Sequence, residues 1–397
     1  MSRNVYITGV GIVTPLNPFS GVKEFWNALC SGKNAIRRMK LPLLKSDREW
    51  LMAGFDNSSL PEKLPVEDKF GYIAEEALKM AVLDARLDGI DNREETKTGI
   101  FIGTVLGNIL CKEKRLMEGG NRSDDNIKEE SLSYIASHIA SRYGLTGPVF
   151  TVSTACASGT DAVGIAARQI KAGNADIMIA GGVETLSDLA ISGFNSLQAI
   201  TEDRVRPFDR RRSGLAPGEG AAFVVLESGE SASKRGVEVY GRVLGYSSKS
   251  DANHLTGPHR EGRGLACAIR QALSEAKIHH DEIDYINAHG TGTVYNDLME
   301  TKAMKGAFGE GAYGIPVSST KSMLGHSFGA AGSIEVICCL LSIKTGLIHP
   351  TLNLEEKDPE CDLDYVPAKA RNHAVNTAMS LSAGFGGQNS VIILGRV

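Results

Sequence analysis

The sequence contains no Cys-x-x-Cys pair. Its seven cysteines (30, 111, 156, 267, 338, 339 and 361) are an odd number without paired spacing. That argues against a disulfide framework and against a zinc site, so no metal is expected. Reduced cysteines, and with them a cytoplasmic setting, fit best. Nucleotide signals are missing too. Gly9-Val-Gly11 has no third glycine at the right place for a dinucleotide fingerprint, and there is no phosphate loop. No Gly-x-Ser-x-Gly elbow marks a serine hydrolase. The net charge is −4, so no global basic field points to nucleic acid. The longest apolar run, near Ile334 to Ile343, is read as too short to span a bilayer. The first residues run straight into Val5-Tyr6-Ile7, so no signal peptide is expected.

What is present is an ordinary globular composition. The chain has 397 residues, 42% hydrophobic and 23% charged, long enough for one large or two medium cores. Apolar β-rich runs alternate with helical patterns, which predicts an α/β fold. Strands are expected at 5–13, 99–104, 149–152, 177–180, 221–226, 239–246, 285–288, 316–318 and 391–394. Helices are expected at 70–84, 135–143, 159–171, 264–276, 297–308 and 330–345. The two halves look like distant copies. One block runs from Val152-Ser-Thr-Ala-Cys to Gly218-Glu-Gly-Ala, and the other from Val317-Ser-Ser-Thr-Lys to Gly384-Phe-Gly-Gly. Their intervals are 66 and 67 residues. The division is placed at residues 1–238 and 239–397. A polar stretch from Cys111 to Ser133 reads as a surface or interface insertion.

The chemistry-bearing residues fall in small-residue surroundings. Cys156 lies in Val152-Ser-Thr-Ala-Cys-Ala-Ser-Gly, where a strand gives way to a helix. A helix start stabilises negative charge, so a lowered thiol pKa and a nucleophilic thiolate are expected there. A buried structural cysteine is the alternative. His289 lies in Asn287-Ala-His-Gly-Thr-Gly-Thr, at a strand end where glycines let a ligand approach. His326 lies in Lys321-Ser-Met-Leu-Gly-His-Ser-Phe-Gly. Glu335 follows in an apolar run, and Lys321 is its natural partner, because unpaired buried charge is expensive. Gly384-Phe-Gly-Gly permits unusual backbone angles and could turn the Phe385 N–H toward a site. Arg204-Val-Arg-Pro-Phe-Asp-Arg-Arg-Arg is the one basic cluster. Arg204, Arg206 and Arg210 could receive an acidic partner.

Cys156, His289, Lys321, His326 and the Gly-Phe-Gly-Gly turn, in this order, resemble the β-ketoacyl-acyl-carrier-protein synthases. These are elongating condensing enzymes of the thiolase-like fold. The resemblance covers essentially the whole chain, including Arg206-Pro-Phe-Asp and Gly218-Glu-Gly-Ala. It implies two duplicated α/β halves in a five-layer αβαβα arrangement. It implies that Cys156 takes an acyl chain from acyl carrier protein as a thioester. The N–H groups of Cys156 and Phe385 would form the oxyanion hole. His289 and His326 would stabilise the enolate left when malonyl on a carrier protein loses carbon dioxide. Lys321, paired with Glu335, would hold the electrostatics. Thr291 and Thr293 would bind the pantetheine arm, Phe385 and Gly386 would also bind substrate, and Phe385 would be the gate. No bound cofactor is implied, since substrates ride on the carrier's phosphopantetheine.

Within the family, Asn296-Asp-Leu-Met-Glu-Thr, Gly332-Ser-Ile-Glu and Ser153-Thr-Ala-Cys-Ala-Ser-Gly-Thr-Asp resemble the ketosynthase-α chain of type II polyketide synthases. That chain pairs with an inactive chain-length factor. The fatty-acid elongation synthase, a homodimer, is the other reading. Leu381 stands where the fatty-acid enzymes usually carry asparagine, so a monovalent-cation site is not carried over. A non-catalytic partner chain would have lost the cysteine, which this chain keeps. A coenzyme A thiolase would carry a second cysteine in the glycine-rich turn, which is absent.

Overall fold

The computed structural model describes residues 3–16, 18–44, 47–87, 96–119 and 125–397. Ten strands form its main sheet. β1 (Val5–Val13), β2 (Thr98–Gly103), β3 (Val149–Val152), β4 (Ile177–Glu184) and β5 (Gly220–Ser228) come from the first half. β6 (Gly241–Ser250), β7 (Tyr285–Asn287), β8 (Val317–Ser318), β9 (Thr377–Gly384) and β10 (Gln388–Gly395) come from the second. The first five lie in the order β1-β5-β4-β2-β3 and the second five in the order β6-β10-β9-β7-β8. Adding five to each number converts one order into the other. Parallel and antiparallel neighbours also correspond, from the parallel β2/β3 and β7/β8 pairs to the antiparallel β1/β5 and β6/β10 pairs. The half-sheets meet at β1 and β6 through two antiparallel positions, Tyr6 opposite Arg242 and Ile7 opposite Gly241.

Helices cover both faces, which is why β4 and β5 are buried at every position and read as apolar runs up to Val183 and Leu226. α1 (Lys69–Asp84) packs outside the first half-sheet, and α3 (Arg263–Ala276) outside the second. Between them lie α2 (Ser158–Lys171) and α4 (Phe328–Thr345), each touching both half-sheets and one another. Three hydrophobic clusters fill the spaces between these five layers, one beneath each outer helix and one on both sides of the central pair. α4 corrects one expectation. The helix expected at 330–345 starts two residues earlier, at Phe328, and with 18 residues is long and apolar enough to cross a membrane. It is instead a core helix, buried continuously from Phe328 to Ile343.

α2 and α4 cross at glycine. A Cβ on Gly332 would lie 2.1 Å from Thr160 Oγ1 and 2.7 Å from Thr160 N. A Cβ on Gly159 would lie 2.8 Å from Gly329 O. Above the crossing, Asp161 of α2 accepts from Tyr246 Oη of β6 at 2.7 Å and from Ser390 Oγ of β10. One buried carboxylate thus bonds the half that carries Cys156 to two strands of the other half.

Other expectations need adjustment. The strand expected at 177–180 continues to Glu184. β9 was not foreseen, because Thr-Ala-Met-Ser-Leu-Ser-Ala-Gly has no β-branched run and passes for a loop. Helices at Val22–Cys30, Ile109–Met117 and Asp188–Ser196 were not foreseen either. The second of these opens the stretch read as a surface or interface insertion from Cys111 to Ser133: Cys111 and Glu113 are buried, while Lys112, Leu116, Met117 and 131–133 are exposed. Residues 120–124 of that stretch lie outside the described residues.

Two glycines test this packing in opposite directions. Gly332→Ala pushes a methyl onto Thr160 backbone and should cost about 1–3 kcal/mol. Gly71 of α1 has nothing within 4 Å of its would-be Cβ, so Gly71→Ala should add roughly 0.5–1 kcal/mol. Thermal or denaturant unfolding of both variants reads the sign.

Candidate active site

β3 ends at Val152 and α2 begins at Ser158. Between them the chain turns sharply at Ala155, whose φ of 52° is unusual for a residue with a Cβ. Hydrogen bonds hold that strain in place. Ser158 Oγ accepts from Thr154 N at 2.9 Å and donates to Ala155 O at 2.5 Å. Thr154 Oγ1 donates to Asp161 at 2.6 Å. Gly384 at the end of β9 lies against the elbow, where a Cβ would come 3.0 Å from Cys156 N. The elbow presents Cys156 two residues ahead of α2, 7% exposed.

The second half repeats the geometry with a different side chain. His326 stands two residues ahead of α4, as Cys156 stands two ahead of α2. Because the helices cross near their starts, His326 Nε2 comes to 3.0 Å from Cys156 Sγ. His289 follows β7, and its ring meets that of His326 edge-on at 5.1 Å. A buried carboxylate fixes its backbone: the N–H groups of His289 and Gly290 donate to Glu300 at 2.7 and 2.6 Å. Reactive atoms of Cys156, His289 and His326 all lie within 4.8 Å of one another. Lys321 and Glu335 form a buried ion pair beside them.

Burial dominates the electrostatics. It pushes the Cys156 thiol up to about 12. The Lys321 charge and the N–H groups of Phe385 and Cys156, which point at the sulfur, pull the other way and lose. The lowered thiol pKa expected from the helix start is thereby corrected: desolvation outweighs the helix end. Burial, and then Lys321, hold both histidines well below 6.5, so both imidazoles are neutral. Burial pushes Glu335 up to about 7 while Lys321 draws it down. Cysteine with two histidines is a donor set that suits zinc. The Lys321 charge acts on all three residues, however, and repels a cation placed among them.

A cavity of about 390 Å³ leads to the sulfur, lined by Thr291, Thr293 and Phe385 among others. The Phe385 ring stacks on Phe194 at 5.3 Å, and Phe194 in turn packs on Phe328 at 5.3 Å. Gly386 is not in the lining, and its N–H donates to Leu255 O at 2.7 Å. Arg206 is withdrawn from the surface cluster: its side chain is 10% exposed and bonded to Asp203 at 2.6 Å. Arg204 and Arg210 are exposed, but they face Glu355 and Glu356 at 3.5 and 3.4 Å. Sequence reasoning missed Phe194, which sits in an unremarkable helix, and Glu300. A signal for Glu300 existed, since Asp297 and Glu300 at i, i+3 put two carboxylates on one helix face just after the His289 loop.

A thiol near 12 should alkylate slowly at neutral pH. The rate should climb about tenfold per pH unit well into the alkaline range, because only the thiolate reacts. Lys321→Met, which removes the charge that pulls the thiol down, should slow alkylation further at each pH. Peptide mass spectrometry of Cys156 after timed iodoacetamide exposure checks both.

The family profile "Beta-ketoacyl synthase, N-terminal domain" matches residues 2–232, and "Beta-ketoacyl synthase, C-terminal domain" matches residues 240–355. The chain is 41% identical to "Putative polyketide beta-ketoacyl synthase 1" of Streptomyces halstedii, over 99% of this chain and 98% of that one. It is 37% identical to "3-oxoacyl-[acyl-carrier-protein] synthase 2" of Coxiella burnetii, over 100% and 99%. One similar solved structure is described as a type II polyketide synthase acyl-carrier protein in complex with its ketosynthase bound to the hexaketide. It has a TM-score of 0.91 and 34% identity, and covers all of both chains. The "ishigamide ketosynthase/chain length factor" has a TM-score of 0.89 and 35% identity, again over all of both chains. Motif order, duplicated fold and paired histidines at the cysteine agree with these likenesses, and the chain belongs to the β-ketoacyl synthase family.

Proposed function

We propose that this chain condenses a Cys156-bound acyl group with malonyl carried on acyl carrier protein, in a type II polyketide or related specialised pathway. The observation that carries the proposal is the 3.0 Å contact between Cys156 Sγ and His326 Nε2, with a second neutral imidazole, His289, beside it. The first half (1–238) supplies the nucleophile and the second half (239–397) the two histidines. Sγ attacks the acyl thioester carbonyl, and the carrier's pantetheine thiol leaves with the proton. The N–H groups of Phe385 and Cys156, already aimed at the sulfur, hold the oxyanion. Thr291 and Thr293 line the path for the pantetheine arm.

Malonyl then enters, and loss of carbon dioxide leaves an enolate. Neutral imidazoles suit that step. Each keeps one ring N–H to place on the enolate oxygen and offers no labile extra proton to quench the carbanion. The carbanion attacks the acyl-cysteine carbonyl, the C–S bond breaks, and the departing thiolate takes a proton from water to become the thiol again, leaving a chain two carbons longer on the carrier. Lys321 and Glu335 stay paired and set the field around the three reactive groups.

The polyketide reading is supported by the Asn296-Asp-Leu-Met-Glu-Thr segment and by the 41% relative. The fatty-acid elongation reading is supported by the 37% relative. The chain works as a pair, with a second copy or with a chain-length-factor-like subunit, in keeping with the ishigamide likeness. Seven free cysteines suit a reducing cytoplasm.

Incubation with acyl-loaded carrier protein should add one acyl mass to Cys156. Subsequent malonyl-carrier should release a β-ketoacyl product two carbons longer. No adduct on Cys156 with any carrier defeats the proposal. The depressed histidines also set a pH expectation. A group whose pKa falls on burial stays neutral until the pH drops below that lowered value. Decarboxylation should therefore persist below the ordinary imidazole value of 6.5. A loss centred on that value, measured by carbon dioxide release against pH, would contradict it.

A further inference from the structure

The start of α4 is strained in the same sense as the cysteine elbow. Phe328, two residues after His326, has a φ of 43°, unusual for a residue with a Cβ. The cap residue Ser327 makes no side-chain bond to the helix. What secures this helix start comes from the other half. Glu184 ends β4 and is 0% exposed. Its Oε2 accepts from Gly329 N at 3.1 Å and from Val105 N at 2.7 Å. Its Oε1 accepts from Leu106 N and from Thr104 Oγ1, both at 3.2 Å. One carboxylate thus joins the first turn of α4 to the segment that follows β2.

The fit is close. A Cβ on Gly329 would lie 2.7 Å from both Glu184 Oε2 and Thr104 Cα, and one on Gly182 would lie 2.5 Å from Gly329 O. Among the described residues no lysine or arginine pairs with Glu184; three N–H groups and a hydroxyl hold it. A buried carboxylate without a cation is costly. Burial pushes Glu184 up to about 7, against the pull of those donors. Two uses for such a group are excluded. Glu184 does not line the cavity, so it does not meet substrate there. Its charge raises the Cys156 thiol, so it does not activate the nucleophile. What it does is hold backbone.

We propose that Glu184 is a positioning residue for the malonyl step: from the first half it fixes the start of α4, and with it the His326 imidazole of the second half. The proposal rests on the condensing-enzyme reading, in which His326 serves the enolate. Glu184 complements Asp161, which ties the start of α2, and so the cysteine elbow, to strands of the second half. Each reactive residue ahead of the α2–α4 crossing is then held by a buried carboxylate that bridges the two halves.

Glu184→Gln keeps the shape but turns an amide N–H toward backbone N–H groups that need an acceptor. Carbon dioxide release from malonyl-carrier protein should fall about ten- to hundredfold in kcat while KM stays within about twofold, the signature of a displaced group rather than of lost binding. Alkylation of Cys156 should move the other way: with one negative charge gone, its pH profile should shift to lower pH. Gly329→Ala presses a methyl onto the same bonds but keeps the charge. It should slow carbon dioxide release and leave the alkylation profile in place, and it decides the matter if Glu184→Gln does not fold. Glu227→Gln is the control for stability alone. Glu227 is equally buried and accepts from Thr8 and Ser231, but it lies at the opposite end of β5 from the Gly220 that faces Glu184. Its variant should lower Tm and leave kcat unchanged. A folded Glu184→Gln or Gly329→Ala protein with wild-type kcat overturns the proposal. So does an equal loss of kcat in Glu184→Gln and Glu227→Gln at equal loss of Tm, because the residue then acts through stability only. A wild-type protein that releases no carbon dioxide from malonyl-carrier protein defeats the condensing reading itself, and the role of Glu184 with it.

Discussion

The close crossing of α2 and α4 is the constraint on which the site depends. Gly159 and Gly332 let the two helices approach until backbone meets backbone. Each helix is preceded, two residues earlier, by a chemically active side chain. Duplication therefore does more than build a symmetric scaffold. It brings equivalent positions of the two halves face to face, one carrying a thiol and the other an imidazole. A larger residue at the crossing would separate the helix starts and with them Cys156 and His326.

The second organising fact is desolvation. Cys156, His289, His326, Lys321 and Glu335 are all buried. Burial raises the thiol and lowers the imidazoles, and the Lys321 charge, paired with Glu335, acts on all three. In the proposed mechanism the result is a nucleophile at rest and two neutral hydrogen-bond donors, a combination suited to a carbanion that must survive until it attacks. The N–H groups of Cys156 and Phe385 already point at the sulfur, so in the proposed mechanism stabilising the oxyanion needs little reorganisation. The Ala155 elbow, bonded through Thr154 and Asp161 to Tyr246 and Ser390, shows how a strained backbone is kept at the point of chemistry.

Much of this was legible in the residues. The strand-to-helix passage at Cys156, the strand end at His289 and the Lys321–Glu335 partnership follow from small-residue context and from the cost of buried charge. The duplication showed in two similar intervals. What stayed hidden has physical reasons. β9 is made of small residues whose strand character comes from its neighbours β7 and β10, not from propensity. The thiol pKa depends on burial, a tertiary quantity that a helix-start motif does not encode. Arg206 looks like its exposed neighbours in sequence, yet the fold turns it inward. Phe194 reaches Phe385 only because a helix far along the chain delivers it.

The central claim is a division of labour: the cysteine holds the acyl chain, and the histidines handle the malonyl group. Carbon dioxide release from malonyl-carrier protein, measured alongside acyl transfer, tests it most directly. The account predicts that Cys156→Ala loses acyl transfer but still releases carbon dioxide. It predicts that His289→Ala still takes an acyl group on Cys156 but loses decarboxylation. A Cys156→Ala protein unable to decarboxylate, or a His289→Ala protein that decarboxylates at the wild-type rate, would contradict it.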